Sequence, residues 1–238
     1  CVAPDMVGCG LSDKPQDFEY RLANHSETVV ELVESLGLRR VHLVLHDWGG
    51  AFGMGFARRR PELVASITAL NTAAFPGGAM PWRIGVCRTP LLGTLMLRGL
   101  GVFSKAAVRT TTARGPLDPL VRRAYLEPYA NWHDRVAVSA FVHDIPTTTS
   151  HPTYDELAAT ADALPMFRAT PVQLVWGERD WCFTPRFREE WQRRLPHAES
   201  HPIADAAHFV FEDAPEEVTE RLADFLARVE RDASVEVG

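Results

Sequence analysis

Apolar positions recur along this chain with two different spacings. Three short, nearly continuous apolar runs are typical of buried β-strands, and a fourth segment with strand character follows near the C-terminus. These segments occupy residues 41–46, 66–71, 172–176 and 199–203. Helical spacing occurs between and after them, as at 26–37, which begins at a Ser and ends at a Gly, and at 215–228, where the first turn is acidic. Strands that alternate with helices predict a parallel sheet covered by helices.

The strand pattern is interrupted between Pro76 and about Pro165. Pro, Gly, Arg and aromatic residues dominate this stretch, which also contains several short helical patterns. We therefore expect a helical lid at 76–165, inserted between two parts of one core at 1–75 and 166–238. Open α/β sheets bind ligands at the carboxyl ends of their strands, so the apolar lid is expected to cover that edge.

Composition and charge narrow the classes of partner. The chain has 238 residues, of which 46% are hydrophobic, and its net charge is −6. An acidic balance argues against nucleic acid as a partner, and no apolar stretch reaches the roughly 20 residues of a membrane-spanning helix. The cysteines have no spacing typical of a disulfide framework or a zinc site; they are Cys1, Cys9, Cys87 and Cys182. We expect a cytoplasmic protein that uses no metal ion or cofactor.

The first residues predict that a segment precedes them. The chain has no initiator Met, and the apolar fragment at 1–5 leads straight into a Gly-rich turn, as if a strand had been cut. We expect N-terminal strands of the sheet to be missing from this chain.

Asp47 is the strongest candidate for a chemical role, because it directly follows the first apolar run. Gly49 and Gly50 come next, at the start of a helical segment rich in small residues. A sharp turn of this kind lifts one side chain above the sheet and points the next backbone N–H at developing negative charge. Asp47 is therefore predicted to be a nucleophile, although an Asp at this position is also a common structural N-cap.

Two further residues complete the order nucleophile, acid, histidine that enzymes with this turn use. Asp180 follows the third strand and His208 the fourth, which places both at the same sheet edge as Asp47. His208 is predicted to act as a general base on a covalent ester, with Asp180 fixing its tautomer. Glu178 competes weakly for the role of Asp180, and Asn71 at the end of the second strand cannot hold a charge there.

Trp48 is the predicted donor to the leaving group. Its backbone N–H follows the nucleophile, and its indole N–H can point into the site, where it would suit a leaving group that departs as an anion. Simple packing of the aromatic ring is the alternative. The remaining candidates for the substrate pocket are aromatic residues at the end of the second strand or in the lid, namely Phe75, Trp82, Tyr125, Tyr129 and Trp132.

The loop at 4–15 (PDMVGCGLSDKP) and the turn at 46–50 (HDWGG) resemble motifs of the haloalkane dehalogenase group of α/β-hydrolases. Within that group, residues 8–15 and 70–75 and the lid segments 125–129 and 141–146 are most similar to the β-lactone decarboxylases of bacterial olefin biosynthesis. The resemblance spans nearly the whole chain. It implies an α/β-hydrolase fold, with a doubly wound, mostly parallel sheet and an inserted helical lid.

The resemblance also implies a reaction. Such decarboxylases convert a hydrophobic cis-β-lactone with two alkyl chains to a cis-alkene and carbon dioxide, using the Asp nucleophile with which dehalogenases displace halide. Other enzymes of a hydrocarbon pathway are then candidate partners. The family pattern includes a His-Gly loop that gives a second oxyanion contact and that this sequence lacks.

Haloalkane dehalogenase is the first alternative function. It requires a second halide donor besides Trp48, for which Trp82 and Trp132 are the lid candidates, although both fit a core or a substrate wall better.

Two more alternatives remain open. An epoxide hydrolase needs two lid tyrosines to protonate the opening oxygen; Tyr125 and Tyr129 are four apart, but Pro128 weakens the helix between them. An inactive fragment or a non-catalytic binding scaffold is the last alternative, although a scaffold would have little use for Asp180 and His208.

Overall fold

A computed structural model describes residues 1–77 and 80–236 of the chain. Four parallel strands form one sheet in the order β1-β2-β3-β4. They are β1 (Val41–Asp47), β2 (Val64–Thr72), β3 (Val172–Gly177) and β4 (Glu199–Ile203). Each strand coincides with a predicted segment to within two residues at either end, so the predicted parallel sheet is confirmed.

Eleven α-helices lie in the described part of the chain. They are α1 (Leu22–Ser35), α2 (Trp48–Arg59), α3 (Trp82–Val86), α4 (Leu92–Thr94), α5 (Val102–Thr110), α6 (Pro119–Leu126), α7 (Val136–Asp144), α8 (Tyr154–Ala163), α9 (Pro185–Arg194), α10 (Val210–Asp213) and α11 (Pro215–Glu236). A π-helical turn at Leu95–Gly99 continues α4. None of the helices between residues 1 and 236 that the structure describes is long and apolar enough to cross a membrane.

Successive side chains of a strand pack into two apolar layers, one on each face of the sheet. In β3, Leu174 and Trp176 join the cluster that α1, α2 and α9 cover, whereas Val175 faces a second cluster with Val210 and Val218 from α10 and α11. Successive residues of a strand point to opposite faces, so one buried strand supplies both layers. Helices therefore cover both faces, as a doubly wound fold requires.

Helix α2 approaches the sheet closely through its glycines. A Cβ atom at Gly50 would collide with the side chain of Thr72 in β2, and one at Gly53 would collide with Leu45 in β1. At Gly49, by contrast, an added Cβ meets nothing. The small residues after Asp47 thus bring the N-terminus of α2 directly against the strand ends.

Helix α1 begins at Leu22, four residues before its predicted start at Ser26. The reason is a contact from the lid: Asp144 accepts hydrogen bonds from the backbone N–H of Leu22 and from the guanidinium of Arg21, both at 2.9 Å. A carboxylate supplied by a distant segment caps the helix, and no local sequence signal marks that capping interaction. At the other end of the chain, α11 continues to Glu236, beyond the predicted end at 228.

Strands β2 and β3 are separated by residues 73–171, whose described part holds helices α3 to α8 and no strand. This content agrees with the predicted helical lid, while its limits at 76 and 165 stay a prediction.

Candidate active site

Asp47 occupies a strained turn between β1 and α2. Its φ of 48° and ψ of −128° lie outside the regions that residues other than glycine commonly adopt. The hydroxyl of Thr72 donates a hydrogen bond to the Asp47 carbonyl and so holds the turn against β2. This geometry raises the Asp47 side chain above the sheet edge, as the sequence predicted for a nucleophile turn.

His208 lies between two carboxylates. Its Nδ1 is 2.9 Å from Asp180 Oδ2, and its Nε2 is 3.2 Å from Asp47 Oδ2. The side chain of Asp180 is fully buried, and that of His208 is nearly so. The structure thus brings together the three residues predicted from the strand ends, with His208 in contact with both acids.

Asn71 positions Asp180. Its Nδ2 donates hydrogen bonds to Asp180 Oδ2 at 2.9 Å and to the carbonyl of Gly177 at 3.1 Å, and its Oδ1 accepts from the backbone N–H of Gly177 at 2.8 Å. The backbone N–H of Cys182 donates to the other carboxylate oxygen at 2.7 Å. Sequence reasoning noted only that Asn71 cannot be the acid; its contact with that acid went unpredicted.

The loop that carries His208 is held from two sides. Asp213 Oδ2 accepts a hydrogen bond from the backbone N–H of Ala207 at 2.7 Å, while its carboxylate also accepts from the backbone of Ala113 in the lid. His46 Nε2 lies 2.9 Å from the carbonyl of His208, and because a carbonyl only accepts, that nitrogen carries the proton. Neither residue was among the predicted site residues.

Burial and hydrogen bonding act in opposite directions on His208. Burial favours the neutral ring, but the hydrogen bonds and charges of Asp180 and Asp47 outweigh it and raise the pKa of His208 to about 10. For Asp47, burial favours the neutral acid, yet His208 and the backbone N–H of Trp48 hold its pKa below the usual value. At neutral pH, His208 is therefore protonated and Asp47 is ionised.

The ring of His46 contributes no charge to this group. Burial, followed by the positive charge of His208, lowers the pKa of His46 to about 4. The imidazole is therefore neutral near pH 7 and acts as a fixed hydrogen-bond donor.

Trp48 lines the cavity above the nucleophile. Its ring stacks on Phe52 at a centroid distance of 5.6 Å and lies 5.7 Å from Phe141. The indoles of Trp176, Trp181 and Trp191 all donate to backbone carbonyls, whereas no described residue accepts from the indole of Trp48. That N–H is available to a ligand.

A cavity of about 600 Å³ lies between the strand ends and the lid, and Asp47 and Trp48 form part of its wall. The rest is largely apolar. It includes Phe75 from the core and Ile84, Phe103, Val108, Phe141 and Val142 from the lid. Cavities of this size and character are typical of sites for hydrophobic small molecules.

Three of the five predicted pocket aromatics line the cavity, namely Phe75, Tyr125 and Tyr129. The prediction is wrong for Trp82 and Trp132, which lie outside the lining and are 75% and 49% exposed. Both rings instead pack beside guanidinium groups on the outer surface of the lid. Composition identified them as apolar lid residues but could not show which side of the lid they face.

Contacts also show the partners of three further polar candidates, Glu178, Tyr125 and Tyr129. Glu178 pairs with Arg188 at 3.0 Å and makes no contact with His208, so it does not take the place of Asp180. The hydroxyl of Tyr125 donates to Glu212 at 2.8 Å, and that of Tyr129 accepts from the backbone N–H of Gly10 at 3.2 Å. The two tyrosine hydroxyls thus bind different parts of the chain.

Comparison with known proteins identifies the family of this chain. A family model described as the alpha/beta hydrolase fold matches residues 1–215. A cis-3-alkyl-4-alkyloxetan-2-one decarboxylase of Shewanella oneidensis is 37% identical over 97% of this chain and 74% of its own length. A protein of the same name from Xanthomonas campestris is 36% identical over 96% of this chain and 79% of its own length.

Haloalkane dehalogenases are also among the relatives. Haloalkane dehalogenase 2 of Mycobacterium tuberculosis is 27% identical over 92% of this chain and 75% of that protein. The crystal structure of haloalkane dehalogenase DbeA from Bradyrhizobium elkani matches with a TM-score of 0.86 and 26% identity, over 98% of this chain and 82% of that one. The chain is therefore an enzyme of the α/β-hydrolase fold family, similar over nearly its whole length to oxetanone decarboxylases and haloalkane dehalogenases.

Proposed function

We propose that this enzyme decarboxylates cis-3,4-dialkyl β-lactones, with Asp47 as a covalent nucleophile. The observation that carries the proposal is the placement of Asp47: a strained, ionised carboxylate at the base of an apolar cavity, hydrogen-bonded to His208. The names of the relatives at 36% and 37% identity supply the substrate class, because an oxetan-2-one is a β-lactone.

The first step is displacement at the ring carbon that carries the lactone oxygen. An oxygen of Asp47 forms a bond to that carbon, and the ring C–O bond breaks, which leaves an alkyl ester and a free carboxylate on the neighbouring carbon. Strain in the four-membered ring drives the opening. The indole N–H of Trp48, which has no acceptor among the described residues, is placed to stabilise the carboxylate that forms.

The second step is decarboxylative elimination. The bond to the carboxylate carbon breaks to release carbon dioxide, its electrons form the alkene, and the ester C–O bond breaks to restore Asp47. Displacement inverts one carbon, so elimination with the two leaving groups anti gives a cis-alkene from a cis-lactone. Attack on the lactone carbonyl would instead require hydroxide to leave, which is unfavourable.

His208 and Asp180 stabilise the charges of this cycle. In the free enzyme the imidazolium favours the ionised nucleophile, and the elimination returns negative charge to the same carboxylate. While Asp47 is esterified, one of the two charges that raise the pKa of His208 is absent, so the ring loses a proton more readily.

Haloalkane dehalogenation is the second candidate, favoured by the similarity of the whole fold to DbeA. In that reaction, halide replaces the carboxylate as leaving group, and water must hydrolyse the ester. A neutral His208 would then be the base that activates water. The lid tryptophans Trp82 and Trp132 lie outside the cavity lining, so neither supplies the second halide donor that this reaction would require.

The deciding experiment offers the enzyme a cis-3,4-dialkyl β-lactone and, separately, a bromoalkane of similar length. We expect a cis-alkene from the lactone, detected by gas chromatography, and bromide release that is slower by far. Rapid bromide release with no alkene would exclude the decarboxylase proposal.

Turnover in isotopically labelled water distinguishes elimination from hydrolysis of the ester, because only hydrolysis changes the oxygen atoms of Asp47. Turnover in H₂¹⁸O should leave Asp47 unlabelled if the ester breaks down by elimination, whereas hydrolysis adds ¹⁸O to its carboxylate.

The variant Asp47→Asn, which keeps the shape of the side chain, should lower kcat by at least about 10³-fold. Full activity in that variant would contradict covalent catalysis by Asp47.

Replacement of Trp48 tests the leaving-group contact. Trp48→Phe keeps an aromatic ring against Phe52 and Phe141 but removes the indole N–H, so we expect kcat to fall about tenfold to a hundredfold with little change in KM. Phe141→Leu is the matched control for the packing of this aromatic group.

A further inference from the structure

The tryptophans that lie outside the cavity belong to an exposed apolar surface on the lid. Trp82 and Trp132 share this surface with five exposed aliphatic residues. We call it the lid face; its members are Trp82, Val86, Leu91, Leu92, Leu95, Leu100 and Trp132. Single exposed apolar side chains are ordinary, but a group of large ones on one surface marks an interaction site.

Packing on the inner side of the lid holds the elements that carry this surface together. Ile84 and Cys87, at α3, share one buried cluster with Leu97 of the following π-helical turn. The backbone of Gly93 lies against the carbonyl of Cys87, which joins α3 to α4. These contacts hold α3, α4 and the π-helical turn together in one part of the lid. Leu95 and Trp132 both approach Gly99, which extends the surface to the second tryptophan.

The segment that carries every member of the lid face except Trp132 contains only positive charges. Residues 63–117 contain no Asp or Glu. The basic residues at 80–109 are Arg83, Arg88, Arg98, Lys105 and Arg109. None of them forms an ion pair within the described residues; Arg88, Lys105 and Arg109 donate to backbone carbonyls, which leaves their charges uncompensated.

Each of the two aromatic rings of the lid face has a cation beside it. The guanidinium of Arg98 lies 4.9 Å from the ring centre of Trp132, and that of Arg83 lies 5.8 Å from the ring centre of Trp82. Exposed leucines complete the pattern. Tryptophan and cationic side chains beside an exposed apolar surface are typical of proteins that lie on an anionic membrane.

We propose that the lid face docks this enzyme on an anionic lipid surface. The aliphatic and indole groups enter the interface. Arg83, Arg98, Lys105 and Arg109 meet the lipid phosphates, whereas Arg88 points inward to the carbonyls of Val142 and Ile145. A partner protein of matching shape would usually offer carboxylates to definite ion pairs, whereas a lipid surface needs only a local excess of positive charge. A second copy of the chain is a poor partner, because the same face would set the four outward cations of one copy against those of the other.

The lid face and the cavity share one segment. The inner side of residues 80–109 lines the cavity with Met80, Pro81, Ile84, Phe103 and Ala107. Docking would therefore place a wall of the cavity close to the phase in which long-chain substrates dissolve. This consequence rests on the proposed function, while docking itself does not.

The test is sedimentation of the purified, full chain with vesicles, without substrate. One set is phosphatidylcholine alone, and the other contains about 30% phosphatidylglycerol. We expect the chain, despite its net charge of −6, to bind the anionic set and to be released by high salt, since surface attraction is screened.

Two double variants separate the contribution of the cations to vesicle binding from that of the leucines. Arg83→Gln with Arg109→Gln should lower the partition coefficient on anionic vesicles by about tenfold or more, and Leu91→Ser with Leu92→Ser should lower it as well. The matched controls are Arg168→Gln with Arg231→Gln, which removes two exposed charges elsewhere, and Leu120→Ser, an exposed leucine outside the lid face. Thermal unfolding checks that every variant is folded.

Several outcomes would overturn the proposal. They are absence of binding to anionic vesicles, equal binding to both vesicle sets, and double variants that bind as well as their controls. Concentration-dependent association in sedimentation velocity, lost in the leucine variant while vesicles are not bound, would instead identify the lid face as a protein interface. Because no substrate is present, none of these results depends on whether the decarboxylase proposal holds.

Discussion

Asn71 and Asp180, which are 109 positions apart in the chain, are joined by a buried hydrogen bond of 2.9 Å from the amide nitrogen to the carboxylate. The oxygen that accepts it, Oδ2, also contacts His208 Nδ1. Asn71 thereby fixes the orientation of the acid that orients the histidine. Its φ of 36° places it in a region that Asn tolerates better than most residues.

Removal of this amide should disturb catalysis through the position of Asp180. We expect Asn71→Ala to lower kcat about tenfold with KM unchanged, and to destabilise the fold by about 1–3 kcal/mol because buried polar groups lose a partner. Gln173→Leu is the control, since Gln173 is a buried amide of the same sheet that bonds to Thr68. It should cost stability while kcat stays at the wild-type value; an equal loss of kcat in both variants would contradict a positioning role.

The raised pKa of His208 predicts a stability profile at alkaline pH. The ring gains its proton more readily in the folded state, with a pKa of about 10 against an ordinary value near 6.5. Its stabilising contribution is therefore fully present below about pH 6.5 and is lost as the pH rises towards 10. The difference in melting temperature between the wild type and His208→Gln should shrink over that range. A difference that grows with pH would be inconsistent with a charged His208.

The buried ring of His25 predicts that the protein loses stability as the pH falls, whereas His208 predicts a loss as the pH rises. Its ring is fully buried among Phe18, Tyr20, Phe52 and Phe141, neither nitrogen has a hydrogen-bond partner among the described residues, and burial lowers its pKa to about 4. The unfolded chain binds this proton more tightly, so stability is fully present above about pH 6.5 and falls as the pH approaches 4.

Substitution of His25 should remove that part of the acid sensitivity. His25→Phe suits the aromatic surroundings, and we expect it to gain up to about 3 kcal/mol relative to the wild type between pH 6.5 and 4. Denaturant unfolding at several pH values measures the difference. An unchanged pH dependence would show that the buried ring does not titrate in this range.

Substitution of the two adjacent glycines in the nucleophile turn should destabilise the protein at one position but not at the other. Gly50→Ala places a methyl group against Thr72, which also holds the Asp47 carbonyl, so we expect a loss of about 1–3 kcal/mol in stability and lower activity. Gly49→Ala meets no neighbouring atom and is the matched control. Thermal unfolding and kcat of the two variants are compared. Equal losses in both would contradict the close packing of Gly50 against Thr72 as the cause of the loss in Gly50→Ala.

The sequence by itself determined the four strands, the main crossover helix, and Asp47, Asp180 and His208 as one group. This was possible because apolar positions recur with a regular spacing in each strand and helix, and that spacing specifies the type of element. Parallel strands also end at the same edge, so residues that directly follow strands are brought together in any such sheet. Identification of Asp47, Asp180 and His208 as candidates needed no long-range contact to be known.

Only the tertiary structure decided which groups support these residues and which way the lid residues face. Asn71 reaches Asp180, Asp144 caps the helix that begins at Leu22, and Asp213 ties the His208 loop to the lid. Each is a contact between segments that no local pattern connects. Trp82 and Trp132 are apolar in the sequence whichever way they point; their exposure is decided by how short lid helices pack on the core, and periodicity in helices this short is too weak to predict it.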